Sequence, residues 1–228
     1  MFTIEDLKDF VTYARAWMPN AIIAGGAVRD LTCGAPIKDV DLFVGLENPT
    51  DYEGEESSFA MFCKHFARHI GAVPEFKPSD PEYGNLLDLC KLHPEPGWSL
   101  GIPHTLCHGV PFDIVAIPGN PMDDVPLYDF GLSQMAVTPA GRFFTDAAVT
   151  DLQQRTITYM RGTIPDAYAV IRSKKRLARL RAKYPHWLFR NCERLDMIPE
   201  GMDGFALAAR PDLLAHGYPE SFFGDAKR

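Results

Sequence analysis

No window of the 228 residues comes near 18 uninterrupted apolar residues, so a membrane span is not expected. The start, Met1-Phe2-Thr3-Ile4-Glu5-Asp6, has no basic region ahead of an apolar core and does not read as a signal peptide. There are no repeats and no low-complexity segments. Cysteine is sparse: Cys33, Cys63, Cys90, Cys107 and Cys192 are odd in number and scattered. In a chain too large to need covalent staples they read as reduced thiols of a cytoplasmic protein. Positive charge is also short. A formal charge of −7 argues against a uniformly basic coat for nucleic acid. What remains, 46% hydrophobic and 23% charged residues, is ordinary for a globular chain of one large domain, or one domain and an appendage.

The chemistry gathers near the start. Ala24-Gly25-Gly26-Ala27-Val28-Arg29-Asp30 places a glycine pair between an apolar segment and an amphipathic one. Free backbone N–H groups and the helix dipole at such a turn suit phosphate. Lys38-Asp39-Val40-Asp41-Leu42-Phe43-Val44 follows. Strand side chains alternate faces, so Asp39 and Asp41 point the same way and Val40 the other. Two carboxylates held side by side repel unless a cation joins them, and Mg2+ (or Mn2+) takes such oxygens while sharing its other positions with phosphate and water. Asp113, embedded in the apolar run Pro111-Phe112-Asp113-Ile114-Val115-Ala116-Ile117, is a third candidate, as ligand or general base. The pattern points to metal-dependent phosphoryl transfer.

Gly25-Gly26-Ala27-Val28-Arg29-Asp30 with Lys38-Asp39-Val40-Asp41 resembles the head domain of class II CCA-adding tRNA nucleotidyltransferases and bacterial poly(A) polymerases, within the DNA polymerase beta-like nucleotidyltransferase superfamily. Asp129-Phe130, and Asp146 with Thr150-Asp151-Leu152-Gln153-Gln154-Arg155, are similar to later elements of that family in the same order. The resemblance covers about residues 20–180. It implies an α/β (α+β) nucleotidyltransferase fold, a small mixed sheet flanked by helices. It implies Asp39 and Asp41 as metal ligands, with Asp113 a secondary catalytic candidate. Gly25, Gly26, Arg29, Asp30 and Asp129 would bind nucleotide: Arg29 contacts the triphosphate or braces the carboxylates, Asp30 anchors the loop, and Asp129 bonds a ribose or orders a loop.

The chain departs from the family twice. Leu127-Tyr128 stands where family members carry paired arginines, and Ser133 where they carry asparagine. In Pro165-Asp166-Ala167-Tyr168-Ala169, alanine replaces the arginine of the family's base-reading element; Arg172, one turn on, is the residue placed to substitute. Base selectivity is therefore not carried over.

Helices are expected from a Thr3/Asp6 cap to about 17, over 27–32, 59–70 and 166–183, and near 204–210. Strands are expected over 20–24 and 39–45, with further runs at 72–76, 86–92, 99–102 and 112–117. Residues 47–57 and 118–125 read as loops, and Pro139-Ala140-Gly141 as a hairpin turn. His93, His104, Cys107 and His108 do not have the spacing of a closed zinc site and read as scattered loop residues. Residues 171–190 hold eight Lys or Arg and no acid, with Tyr184, Trp187 and Phe189 interleaved, a cationic face able to meet phosphates and stack on bases.

These readings divide the chain into a catalytic domain, 1–160, and a basic helical appendage, 161–228, a minimal version of longer enzymes. The expected reaction moves a nucleoside monophosphate from an NTP to an acceptor hydroxyl, the favoured acceptor being an RNA (tRNA) 3′ end met through 171–190. The rivals are nucleotidylation of a small molecule or protein side chain, and an inactive module that binds nucleotide or RNA.

Overall fold

The structure, a computed structural model, describes residues 2–48, 57–77, 88–94, 109–160 and 167–210. The loop at 49–56, the run at 99–102, His104, Cys107, His108, Asp166, the 160/161 boundary segment and the tail at 211–228 therefore lie outside the described residues.

Helix α1 (Ile4–Arg15) opens on a complete capping box: the Thr3 hydroxyl accepts from the Asp6 N–H and the Asp6 carboxylate accepts from the Thr3 N–H. Leu7, Phe10, Val11 and Ala14 form its buried face. β1 (Ile22–Ala24), α2 (Gly26–Thr32), β2 (Val40–Leu46), α3 (Ser58–Ile70), β3 (Ala72–Lys77), β4 (Asp88–Pro94) and β5 (Phe112–Pro118) follow. α3 is capped by Ser57 and ends at Gly71, whose φ of 69° is left-handed. Residues 118–125, expected as loop, hold a helical turn, α4 (Pro121–Asp124). Pro121 fits the first helical position and the Asn120 side chain accepts from the Met122 N–H. The rest is β6 (Met135–Thr138), β7 (Gly141–Phe144), α5 (Asp146–Gln154), β8 (Thr156–Thr158), α6 (Ala167–Lys183), β9 (Leu188–Arg190), α7 (Glu193–Asp196) and α8 (Gly204–Ala208).

Seven strands form one mixed sheet, β3-β4-β5-β2-β1-β6-β7, with β2 and β5 its parallel pair. β8 and β9 pair separately in parallel. In β2, Val40, Leu42, Val44 and Leu46 are buried while the residues between them are half-buried, so the two faces have different fates. One face packs on α1 and α3: the Phe10 and Phe112 rings meet edge-on at 4.9 Å, with Phe66 about 6 Å from both. Losing any one of these rings to alanine would cost about 3–5 kcal/mol. Buried residues of α6, among them Val170, Leu177 and Leu180, join that same core. On the opposite face lies a small cluster, Ile22, Ala24, Val125 and Ala136, edged by Phe43, Met122 and Tyr128. Asp41 and Asp113 are half-buried on that side of the sheet.

Gly45 fixes the end of β2. A Cβ there would fall 1.7 Å from the Gly119 carbonyl oxygen, so only glycine lets the chain after β5 cross so closely.

Candidate active site

The alternation that buries Val40 and Leu42 turns Asp41 to the other, half-buried face. Asp39 stands two residues earlier, just before the strand. β5 runs parallel to β2 in a register that sets Asp113 beside Asp41. β4 runs antiparallel to β5 and sets Lys91 opposite Asp113, its Nζ 2.9 Å from Asp113 Oδ2. The three aspartates are thus neighbours because of strand direction and register, and a lysine comes with them.

Their charge is unevenly answered. Asp39 has an exposed, flexible partner in Lys38 at 3.0 Å, an ion pair worth little. Asp113 has Lys91. Among the described residues Asp41 has no hydrogen-bond or ion-pair partner. Burial pushes its carboxyl up to about 7, helped by the charges of Asp39 and Asp113; Arg176 and Lys91 pull the other way without cancelling them.

An unpartnered carboxylate beside a second one is what a hard divalent cation fits, since oxygen donors suit Mg2+ and Mn2+. Asp39 and Asp41 are the residues that would hold it. Among the described residues no three His, Cys, Asp or Glu side chains gather into a metal-binding group.

Gly25 sits at φ 75°, ψ −121°, a glycine-permitted conformation that starts α2 directly after β1. Its N–H, expected from the sequence to be free for phosphate, donates to the Met135 carbonyl at 2.9 Å and so belongs to the sheet. Gly26 begins α2, and no side chain caps that helix. The Tyr128 ring lies over the turn: a Cβ on Gly25 would stand 3.6 Å from its Cε2. Tyr128 also lies 6.3 Å from the Phe43 ring, and burial together with Asp41 and Asp124 raises its hydroxyl pKa. The residue that stands where the family has arginine therefore forms an aromatic wall beside Asp41.

Arg29 and Asp30 are placed elsewhere, in a buried network. The Arg29 Nε donates to Asp30 Oδ1 at 2.8 Å, and its NH1 donates to the Ser133 hydroxyl at 3.1 Å. The Tyr184 hydroxyl donates to Asp30 Oδ1 at 2.7 Å, and Lys183 donates to the other Asp30 oxygen. Burial works against the Arg29 charge, but Asp30 and Tyr184 outweigh it and raise its pKa. The cations acting on Asp41 are instead Arg176 and Lys91.

Asp129 is buried, accepting from the Ser173 hydroxyl at 2.8 Å and from Arg176 NH1 at 2.5 Å. α6 thereby docks on the site. Arg172 lies half-buried one turn before Arg176 on α6. Asp151 is also buried and structural, accepting from the hydroxyls of Thr156 and Thr158 at 2.7 Å each.

The basic segment is largely used internally. Lys174 donates to the Ile198 carbonyl, Arg176 binds Asp129, Arg181 grips Asp196 with two bonds, Lys183 binds Asp30, and Arg190 binds Gln154. Tyr184 is buried, and Arg181 stacks on Phe189. Lys175 and Arg179 remain exposed.

Sequence reasoning missed Lys91 and Arg176 as members of the site, and read Tyr128 only as a missing arginine. A signal existed for Lys91, which sits between apolar Cys90 and Leu92 as Asp41 sits between Val40 and Leu42.

No protein-family model matches the chain, and no curated protein matches it. Solved structures do. One described as a tRNA-processing enzyme (apo form I) matches 96% of this chain and 49% of its own, at 19% identity and a TM-score of 0.53. The Thermotoga maritima CCA-adding enzyme complexed with tRNA matches over 83% of this chain and 40% of its own, at 18% identity and a TM-score of 0.52. A CCA-adding enzyme in complex with ATP matches over 84% of this chain and 44% of its own, at 17% identity and a TM-score of 0.50. The chain spans less than half the length of these structures. At such identities the likeness is one of fold, and it agrees with the motifs from which the resemblance was drawn. The chain has an α/β fold of the nucleotidyltransferase kind and resembles the head domain of the CCA-adding enzymes.

Proposed function

We propose that the chain is a metal-dependent nucleotidyltransferase that moves a nucleoside monophosphate from an NTP to an acceptor hydroxyl, with an RNA 3′ end, tRNA in particular, as the acceptor. The observation that carries this reading is Asp41, without a partner among the described residues and set beside Asp39 and Asp113. A divalent cation bound there would polarise the reacting phosphate and offset the charge that builds in the transition state. The acceptor hydroxyl attacks the α-phosphorus, its proton passes to a carboxylate of the site, and the bond to the departing pyrophosphate breaks. Tyr128 and Phe43 wall the site on one side and help to keep water out. Arg176, anchored by Asp129, sets positive charge beside the carboxylates. Gly25 and Gly26 bring backbone close to the phosphates, and Arg29 with Asp30 fixes the glycine turn from behind. Arg172, a turn from Arg176, is placed to meet the nucleotide from α6.

A second reading has one observation behind it. At least five of the eight basic residues in 171–190 are already bonded within the chain, which favours an acceptor smaller than RNA: a small molecule or a protein side chain.

One experiment separates these. The protein is incubated with Mg2+ and each labelled NTP in the presence of tRNA, total RNA or protein extract. Label in tRNA that vanishes with Asp39→Asn is the expected result. Label in protein or metabolites alone moves the acceptor to the second reading. No transfer in any arm, with NTP still raising the melting temperature, would identify a binding module instead.

A further inference from the structure

The three aspartates do not share one environment, and Lys91 makes the difference. β4 pairs antiparallel with β5 so that Lys91 is directly opposite Asp113, on the face where Asp113 stands beside Asp41. Its neighbours Cys90 and Leu92 are buried in the core, which fixes the direction of the lysine. The ammonium lies 2.9 Å from Asp113 Oδ2, and the Asp113 side chain is only 19% exposed. An ion pair so placed is less screened than a surface pair. The charge of Lys91 extends to Asp41 as well.

Two-metal phosphoryl-transfer sites hold ions about 3.5–4 Å apart, and shared carboxylates keep the two charges together. Here the third carboxylate already binds a cation, and that cation is part of the protein. Asp39 and Asp113 each have a lysine partner, Lys38 and Lys91, while Asp41 has none among the described residues.

We propose that Lys91 stands in the place of a second metal ion: the substrate-free centre takes one divalent cation at Asp39 and Asp41, and Lys91 is the positioning residue that withholds Asp113 from the metal. This rests on the reading of Asp39 and Asp41 as the metal pair. Lys91 neutralises Asp113 permanently, whereas a second ion would have to bind at each turnover.

The test is Mn2+ binding to the purified chain without nucleotide, followed by calorimetry and by the loss of the free-ion electron-resonance signal. The wild type should bind one ion per chain. Lys91→Met and, as a second variant, Lys91→Gln should bind a second ion, or the first about tenfold more tightly. Lys91→Arg should behave as the wild type, and Lys91→Met combined with Asp113→Asn should return to one ion. Melting curves confirm that each variant is folded. Two ions on the wild type, or Lys91→Met and Lys91→Gln both unchanged, would overturn the inference alone, provided Asp41→Asn abolishes binding. If the wild type binds no Mn2+, or Asp41→Asn binds it undiminished, the metal pair itself is wrong and both proposals fall.

Discussion

Asp30 and Asp41 are both carboxylates set among apolar residues on adjoining elements, yet the protein answers them in opposite ways. Asp30 accepts from Arg29, Tyr184 and Lys183, and the cluster is closed further by Ser133. Among the described residues Asp41 is offered no donor, and it has two like charges for neighbours. Folding is therefore opposed by ionised Asp41, while Asp30 is held by its donors. A fold does not keep an uncompensated carboxylate on stability grounds. The comparison teaches that the number of charged residues in a region says little; the partners they lack mark where a ligand belongs.

Substitution at the two positions should separate the roles, and the largest effect is expected at Asp41. Asp41→Asn removes a negative ligand while relieving repulsion, so transfer should fall by about a thousandfold or more, equal to a loss of several kcal/mol of transition-state stabilisation. The folded protein should be no less stable, as read from urea unfolding beside the labelled-NTP assay. Asp30→Ala should do the reverse. It leaves the buried Arg29 unpaired and should cost about 3–5 kcal/mol in the same urea titration. If Asp30→Ala proved neutral for folding and Asp41→Asn destabilising, the contrast would be broken.

The pH dependence sharpens the same contrast without losing a side chain from the wild type. The Asp41 carboxyl titrates near 3.8 when unfolded and at about 7 when folded. Below about pH 4 it is protonated in both states and contributes no difference. Between pH 4 and 7 the folded chain binds the extra proton, so stability falls as pH rises; above 7 the whole penalty is present, up to about 4 kcal/mol. The metal-free protein in a chelator should lose stability from pH 5 to pH 8. Asp41→Asn should lose less over that range, and Mg2+ should stabilise the wild type more at pH 8 than at pH 5. Equal slopes for the two proteins would remove the argument that Asp41 is uncompensated. A smaller effect, about 1–3 kcal/mol, is expected for Gly25→Ala, which forces a side chain into φ 75° beneath the Tyr128 ring.

How legible these two regions were in the sequence follows from the range of the contacts that make them. The direction of Asp41 could be read because strand alternation is local, and β2 runs Val40–Leu46 as the apolar period demands. The α1 capping box, α3 and the β6–β7 hairpin are local in the same sense. Asp113 was legible as a carboxylate in an apolar strand, but its place beside Asp41 depends on β5 running parallel to β2, which no short window records. The partners of Asp30 were not legible, since Tyr184 and Lys183 arrive from the far end of the chain. The basic, aromatic character of 171–190 was plain, but not its use. The same residues suit a nucleic-acid face and an internal brace, and only the packing of α6 on Asp129 and Asp30 separates the two.

That ambiguity yields the prediction of smallest expected effect on the fold. Lys175 and Arg179 are exposed on α6, whereas Arg176 and Lys183 are held by buried carboxylates. Lys175→Ala with Arg179→Ala should change stability by no more than about 0.5 kcal/mol, since neither side chain braces the core. If RNA lies along α6, the pair should still matter for binding. Each lost phosphate contact lowers the slope of log affinity against log salt by about 0.7–0.9, so the double variant should bind tRNA with a slope smaller by roughly 1.5. Filter binding across a salt series reads this directly. An unchanged slope in a protein that still transfers nucleotide would mean that the positive charge of α6 works inward only, and the acceptor would then be sought among small molecules and protein side chains.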